Sequence, residues 1–216
     1  HFRTILPPGR APFDMAAGEQ VLFWGSCFSD LIGGKMAASR AFGVMVNPFG
    51  TVYNPVSMAR ALSRLAAGNV LFEEQELFAH AGLWNSWEHS HLFSLPERAA
   101  TLRHINEQYA VAASFLRLCR HVVLTLGTAT VHCLRPGGYV VANNHKMPAA
   151  TFRQRRLSVA EVTDCITSVL EKIKSQNPGL QVVLTVSPVR HIRNGMVENQ
   201  RSKATLLLAC EQICAA

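Results

Sequence analysis

Three stretches of the chain are almost continuously apolar, which is the pattern of strands buried on both faces. They span residues 21–24, 122–126 and 182–186. Strands have this pattern in parallel sheets that helices cover on both sides, whereas a strand with one solvated face alternates apolar and polar residues. The three runs therefore predict strands of a mainly parallel central sheet.

Predicted strands and helices alternate along the chain, which is typical of an α/β doubly wound fold. The predicted strands are residues 20–25, 43–47, 121–127, 139–143 and 180–187. The predicted helices are residues 29–40, 55–67, 97–120, 158–175 and 199–214. We expect residues 131–134 and 139–143 to form a β-hairpin. The less regular stretch 68–96 predicts a loop-rich cap over one edge of the sheet.

The composition fits one domain with one core, since 49% of the 216 residues are hydrophobic. No apolar run approaches the ~18 residues of a membrane span, and the first residues lack the apolar segment of a signal peptide. The six cysteines are scattered, with no spacing typical of zinc ligands, which favours a reducing, cytoplasmic setting. We therefore expect no membrane contact.

The formal net charge of +7 raises the question of an anionic partner. The densest basic stretch is Arg-Gln-Arg-Arg at residues 153–156, and no aromatic residues alternate with it as they do in a base-stacking surface. We expect a solvated loop there and no nucleic-acid partner, although the charge would attract an anionic substrate.

The first apolar run leads into Gly25-Ser26-Cys27, and a helical pattern follows directly. This order places the Ser26 hydroxyl at the carboxyl end of a strand, beside the free N–H groups of a helix N-terminus. A serine in that position can act as a nucleophile, with its own N–H available to an oxyanion. It also serves as a plain helix N-cap, so the turn alone leaves both roles open. Cys27 is a further candidate nucleophile, but we expect it to pack against the sheet.

Small or polar residues follow each main strand, at the edge where an open parallel sheet binds its ligands. They are Gly25-Ser26-Cys27, Asn47 to Gly50, Gly127-Thr128-Ala129, and Ser187 to His191. Since chance would rarely place such groups after every strand, this edge is the predicted site.

These residues, with others in the same order, resemble the GSCFA family. Gly25-Ser26-Cys27-Phe28 matches the motif that names it, although Ser29 follows where the family usually has alanine. The other matching blocks are Asn-Pro-Phe-Gly at 47–50, Tyr-Asn-Pro at 53–55, Leu-Trp at 83–84, His-Ser at 89–90, Leu-Gly-Thr-Ala at 126–129, Asn-His-Lys at 144–146, Ser-Pro-Val-Arg-His at 187–191, and Asn-Gln with Ser-Lys-Ala within 199–204. The resemblance covers roughly residues 20–214. It implies an SGNH, or GDSL-like, hydrolase with a flavodoxin-like α/β/α sandwich.

The resemblance also implies that Ser26 is the nucleophile and that the amides of Ser26 and Gly50 hold the oxyanion. The wider superfamily adds the side chain of an asparagine in a Gly-x-Asn block, where this chain has Gly127-Thr128-Ala129. Thr128 or Asn144 would have to replace that donor.

In the wider superfamily, the general base belongs to an Asp-x-x-His block near the C-terminus. This chain has no such block, so its general base is not evident. We expect the native chain to continue past Ala216 with such a block. His191, which follows a core strand at the predicted site, is the internal alternative.

We expect substrate contacts from five further residues, Asn47, His89, Asn144, His145 and Arg190. Packing in the cap is the alternative for His89, and bracing of the hairpin is the alternative for His145. Glu88, His89 and His91 lack a further clear ligand, so we expect no metal there. We also expect no organic cofactor, because an acyl-enzyme reaction at a serine needs none.

The sequence therefore predicts a serine esterase that forms an acyl-enzyme on Ser26 and cleaves small acyl esters, such as acetyl esters, of a small molecule or carbohydrate. An O-acyltransferase with the same nucleophile and a non-catalytic ligand-binding module are the alternatives. The oligomeric state is left open.

Overall fold

The computed structural model describes residue 7, residue 9, residues 11–190 and residues 192–215. In this part of the chain, a four-stranded parallel sheet lies among five α-helices, which is consistent with a three-layer α/β/α sandwich. The predicted fold class is thus confirmed.

The elements follow one another in the predicted alternation. The strands are β1 (Gln20–Gly25), β2 (Gly43–Val46), β3 (Leu77–His80), β4 (Leu83–Ser86), β5 (His121–Leu126), β6 (Thr130–Leu134), β7 (Val140–Val141), β8 (Phe152–Arg156) and β9 (Gln181–Val186). The helices are α1 (Cys27–Ala38), α2 (Pro55–Ala67), α3 (Arg98–Leu118), α4 (Val159–Gln176) and α5 (Met196–Ala215).

The order of strands in the central sheet is β2-β1-β5-β9, and all neighbours are parallel. The chain therefore steps from β1 to β2 in one direction across the sheet and later continues from β5 to β9 in the other. This reversal makes a topological switch point between β1 and β5. In open α/β sheets, ligands bind in the crevice beyond the carboxyl ends of the strands at such a point.

Local sequence explains where the helices begin. The side chain of Asn54 caps α2 by accepting the Ser57 N–H, and Pro55 occupies the first turn, where its missing N–H costs nothing. Ser158 and Glu161 form a capping box at the start of α4. Ser26 caps α1, so the residue predicted to do chemistry also begins a helix.

Two small antiparallel sheets complete the fold and correct three predictions. The strand predicted at 139–143 is only β7, since the chain turns away beyond it. Residues 153–156 belong to β8, which pairs with β6, and are not a loop. All four are exposed, so no alternation of apolar residues marks the strand. The region 68–96 contains the β3–β4 hairpin rather than loops alone.

One hydrophobic cluster joins the central sheet to the helices. Its largest fully buried side chains include Leu22 and Trp24 of β1, Phe49, and Tyr109 of α3. None of the helices in the described residues has both the length and the apolarity needed to cross a membrane.

Candidate functional site

The turn between β1 and α1 requires glycine at position 25. Gly25 has a φ of +145°, and a Cβ atom there would fall on the carbonyl oxygen of Thr125 in β5. Its N–H donates to Asn47 Oδ1 at 2.8 Å. The backbone therefore approaches β5 more closely than any side chain would allow, and Ser26 follows at a fixed place.

Asn47 shapes this turn. Its φ of +43° places it in the left-handed region, and it is buried. Its Oδ1 accepts the Gly25 N–H, and its Nδ2 donates to Asp30 Oδ1 at 2.6 Å. Both ends of the amide are thus engaged within the protein. The structure gives Asn47 a positioning role in place of the substrate contact expected from the sequence.

Ser26 is fully buried, with 0% of its surface exposed. Its Oγ accepts a long hydrogen bond of 3.3 Å from the Phe28 N–H. Within the described part of the chain, no histidine hydrogen-bonds to this oxygen and no acceptor takes its proton. The hydroxyl proton is therefore available for transfer to a base.

The two amides assigned to the oxyanion hole by the resemblance are both occupied. The Ser26 N–H donates to the Thr125 carbonyl at 3.2 Å, and the Gly50 N–H donates to the Asn47 carbonyl at 2.7 Å. Gly50 has a φ of +81°, and a Cβ there would meet the side chain of Ser90. In this structure these amides close turns, so the expectation of free oxyanion donors is corrected.

Thr128 lies beyond the end of β5, the neighbour of β1. Its Oγ1 shares a hydrogen bond of 3.0 Å with Ser202 Oγ and accepts the Thr130 N–H at 3.0 Å. Ser202 also accepts the Ala129 N–H at 2.7 Å. The hydroxyl of Thr128 thus anchors α5 to the loop after β5, and it also lines a cavity.

Lys203 was not singled out from the sequence, although it belongs to the Ser-Lys-Ala block. Its Nζ donates to the carbonyl of Gly127 at 2.6 Å and to that of Ser187 at 2.7 Å. Burial lowers the pKa of this ammonium. The lysine holds together the segments that follow β5 and β9, and so it shapes the carboxyl edge of the sheet.

A cavity of about 440 Å³ opens at this edge, on the side of β5 and β9. Its wall is formed by the loop after β5, the β6–β8 sheet, the segment 141–144 and the start of α5. Thr128 and Asn144 are the two predicted site residues that line it; Ser26 and Gly50 lie outside its lining.

His89 corrects a prediction, because it is buried in an aromatic cluster and does not reach the cavity. Its ring packs on Phe49, with centroids 4.5 Å apart, and on Phe72 and Phe93. Its Nδ1 lies 2.9 Å from Ser86 Oγ. Burial lowers the pKa of His89 to about 3. The imidazole is therefore neutral and belongs to the core.

Glu88 is tied to the hairpin and to α2. It forms an ion pair of 2.5 Å with Arg60 and accepts a hydrogen bond from the Tyr139 hydroxyl. Arg60 also stacks over the Tyr139 ring. Within the described residues, no group of three histidine, cysteine or acidic side chains is arranged to hold a metal ion.

His145 braces the hairpin, which is one of the two roles foreseen for it. It is buried at a φ of +47°, and its Nε2–H donates to the Ser86 carbonyl at 2.8 Å. Burial lowers its pKa. Arg190 is exposed and lies outside the cavity lining. His191, the predicted internal base, lies outside the described residues.

Comparison with known proteins gives one finding. The family model described as the GSCFA family matches residues 20–216. No curated protein matches the chain, and no solved structure does.

Proposed function

The chain belongs to the GSCFA family, and from its site we propose that it is a serine hydrolase that cleaves small acyl esters through an acyl-enzyme on Ser26. The observation that carries the proposal is the place of Ser26. It follows β1 at the topological switch point of the sheet, on a turn that only glycine at position 25 allows.

The strand register supports this assignment. In the sheet register, Gly25 of β1 pairs with Thr125 of β5, and Thr125 pairs with Thr185 of β9. The residues that follow these three positions therefore emerge at one edge. Ser26 lies beside the segment that leads to Thr128 and the cavity, where a bound ester would present its acyl group.

The proposed reaction has two steps. Ser26 Oγ attacks the acyl carbonyl carbon, its proton passes to a base, and the tetrahedral intermediate expels the alcohol, which takes up the proton. Water then attacks the acyl carbonyl carbon and passes a proton to the base, the Oγ–carbon bond breaks, Ser26 Oγ takes up that proton, and the carboxylic acid leaves. His191, five positions after the last residue of β9 in the sequence, is the base we propose within this chain.

The oxyanion needs a donor beside Ser26, and we assign that role to the N–H of Cys27. Cys27 is the first residue of α1 and is exposed, so the expectation that it packs against the sheet is wrong. The first N–H groups of a helix have no acceptor inside the helix, and the helix dipole adds positive charge there. The amides of Ser26 and Gly50 would join only if their present hydrogen bonds opened.

A fluorophosphonate probe tests the proposal, because it reacts with activated serines. We expect peptide mapping by mass spectrometry to find one adduct, on Ser26, in the full protein. Ser29→Ala is the matched control, since it removes a buried hydroxyl three residues later in the same helix. Ser29→Ala should label like the native protein, and Ser26→Ala should not label.

An undiminished adduct in Ser26→Ala would remove Ser26 from the nucleophile role. The paired amides of Ser26 and Gly50 favour a second candidate, a non-catalytic ligand-binding module. Absence of any adduct, in a protein that still binds a ligand in the cavity, would favour that module.

A further inference from the structure

We propose that the cavity binds a neutral, polyhydroxylated ligand, namely a sugar or a related polyol. The cavity has no assigned ligand so far. The identification of this sugar as the alcohol part of the ester rests on the function proposed for Ser26, whereas the binding itself does not.

The first observation is a pair of asparagines in the cavity wall, each with one end of its carboxamide unbonded among the described residues. Asn143 Oδ1 accepts the His145 N–H at 2.8 Å, and Asn144 Oδ1 accepts the Lys146 N–H at 3.2 Å. These bonds fix both side chains. Among the described residues, neither Nδ2 group has a partner, and both residues line the cavity. Four N–H bonds are therefore available to a ligand in fixed positions.

Four further residues of the wall carry neutral donors and acceptors, namely Thr130, His132, Gln154 and Asn194. His132 Nε2 and Gln154 Nε2 lie 2.8 Å apart, and Asn194 Nδ2 donates to Gln154 Oε1 at 3.1 Å. Amide and hydroxyl groups both donate and accept hydrogen bonds, which matches the mixed character of sugar hydroxyls. The ring of Tyr53 and the side chain of Val141 supply apolar surface for the C–H face of a sugar.

The charges of the wall do not favour an anion. Glu198 is the acidic residue of the lining, and it is paired with Arg156 and Arg201 at 2.7 Å each. Burial and the neighbouring Arg193 lower the pKa of His132, so this ring is neutral. Among the described residues of the lining, Arg193 remains as one cation, whereas phosphate and carboxylate groups are usually held by several charged donors together. A neutral ligand fits this balance better.

The size of the cavity agrees with a small sugar. Its volume of about 440 Å³ lies near the lower end of the range for ligand pockets. A monosaccharide or a disaccharide is therefore the expected size class.

The experiment measures binding in Ser26→Ala by ligand-observed NMR titration. The probes are glucose, xylose and cellobiose, with glucose 6-phosphate and glucuronate as charged counterparts. Asn144→Asp is the decisive second substitution, because aspartate keeps the acceptor for the Lys146 N–H and loses the free N–H donors. Asn69→Asp makes the same charge change at an exposed asparagine outside the cavity and is the matched control.

We expect at least one neutral sugar to bind with a Kd of about 1 mM or lower. Asn144→Asp should weaken this binding about tenfold, as loss of hydrogen bonds predicts, and Asn69→Asp should leave it unchanged. Absence of binding by all three neutral sugars, equal weakening by Asn69→Asp, or tighter binding of the charged counterparts would overturn the proposal.

The two proposals fail separately. If a sugar binds but no fluorophosphonate adduct forms, the proposed ligand stands and the proposed hydrolase activity is wrong. If an adduct forms on Ser26 but no sugar binds, the proposed hydrolase activity stands and the proposed ligand is wrong.

Discussion

The carboxyl edge of the central sheet has two halves that use their polar groups in opposite ways. In the closed half, at the ends of β1 and β2, Asn47 and the amides of Ser26 and Gly50 bond to other parts of the protein. In the open half, at the ends of β5 and β9, Asn143 and Asn144 line the cavity. The proposed nucleophile lies in the closed half and the proposed ligand site in the open half.

In the two proposals, placement of the reactive group and recognition of the ligand therefore depend on different parts of the sequence. The closed half is held by backbone conformation and internal hydrogen bonds, so substitutions there should change the free energy of unfolding. In the open half, the Oδ1 atoms of Asn143 and Asn144 accept hydrogen bonds, whereas their Nδ2 groups have no partner among the described residues. Substitutions there, such as Asn144→Asp, should change binding and leave stability within about 0.5 kcal/mol.

Gly25→Ala should have the largest effect on the closed half. The added Cβ would overlap the Thr125 carbonyl, and alanine disfavours a φ of +145°. We expect a loss of about 4 kcal/mol or more in the free energy of unfolding, measured by urea denaturation. Gly34→Ala, in α1 with open space around its Cβ, should instead stabilise by about 0.5–1 kcal/mol. A Gly25→Ala protein as stable as Gly34→Ala would show that the closed half is not rigid.

Acid should destabilise the closed half through His89, which packs on Phe49 behind the Gly50 turn. The pKa of His89 is about 3 in the folded protein and about 6.5 in the unfolded chain. Between these values the unfolded state binds the extra proton, so stability falls as the pH falls from about 6.5 towards 3. Lowering the pH from 7.5 to 5 should therefore reduce the free energy of unfolding by about 2 kcal/mol through His89.

The measurement is urea denaturation at both pH values for the native protein and for His89→Phe. The His89→Phe protein should lack this part of the pH dependence, because phenylalanine does not titrate. His91→Gln, at an exposed neighbour, is the control. If His89→Phe and the native protein lost equal stability between the two pH values, His89 would not be the group responsible.

Ser29→Ala should have a small and favourable effect on stability. Ser29 is fully buried, and its Oγ has no hydrogen-bond partner within the described residues. Removing an unsatisfied buried hydroxyl should stabilise the protein by about 1 kcal/mol, which thermal unfolding would report as a higher Tm.

Ser26→Ala, in the same helix, should act in the other direction because it removes the N-cap of α1, at a cost of about 1 kcal/mol. Shifts of the same sign in both variants would contradict this account of the two hydroxyls.

Much of the fold follows from the sequence because its main elements carry local signals. The bounds of β1 and α2 match the predicted residues, since an apolar run ends at Gly25 and a proline follows Asn54 at the start of the helix. The sequence does not predict the strand β8, because Phe152 is its one buried residue and no alternating pattern results. Its pairing with β6 depends on a partner about twenty residues away and on no pattern of its own.

The candidate site is harder to predict, because it depends on contacts between distant residues. The sequence places Ser26 after a strand. Only the register of β1 against β5 shows that the Ser26 N–H donates a hydrogen bond to the Thr125 carbonyl. Likewise, the burial of His89 results from packing against Phe49 and Phe72, which lie 40 and 17 positions earlier in the chain. No local pattern distinguishes such a histidine from one that contacts a substrate.

The complete burial of Ser26 has a consequence for kinetics. As the proposed nucleophile, Ser26 would react only in the fraction of molecules in which its cover has moved away, and the observed kcat/KM would be the intrinsic value multiplied by that fraction. An open population of about 1% would lower it about 100-fold. A substrate that binds the open form more tightly would raise that population and, with it, its own rate of turnover. Selectivity would then arise from the opening equilibrium as well as from the contacts in the cavity.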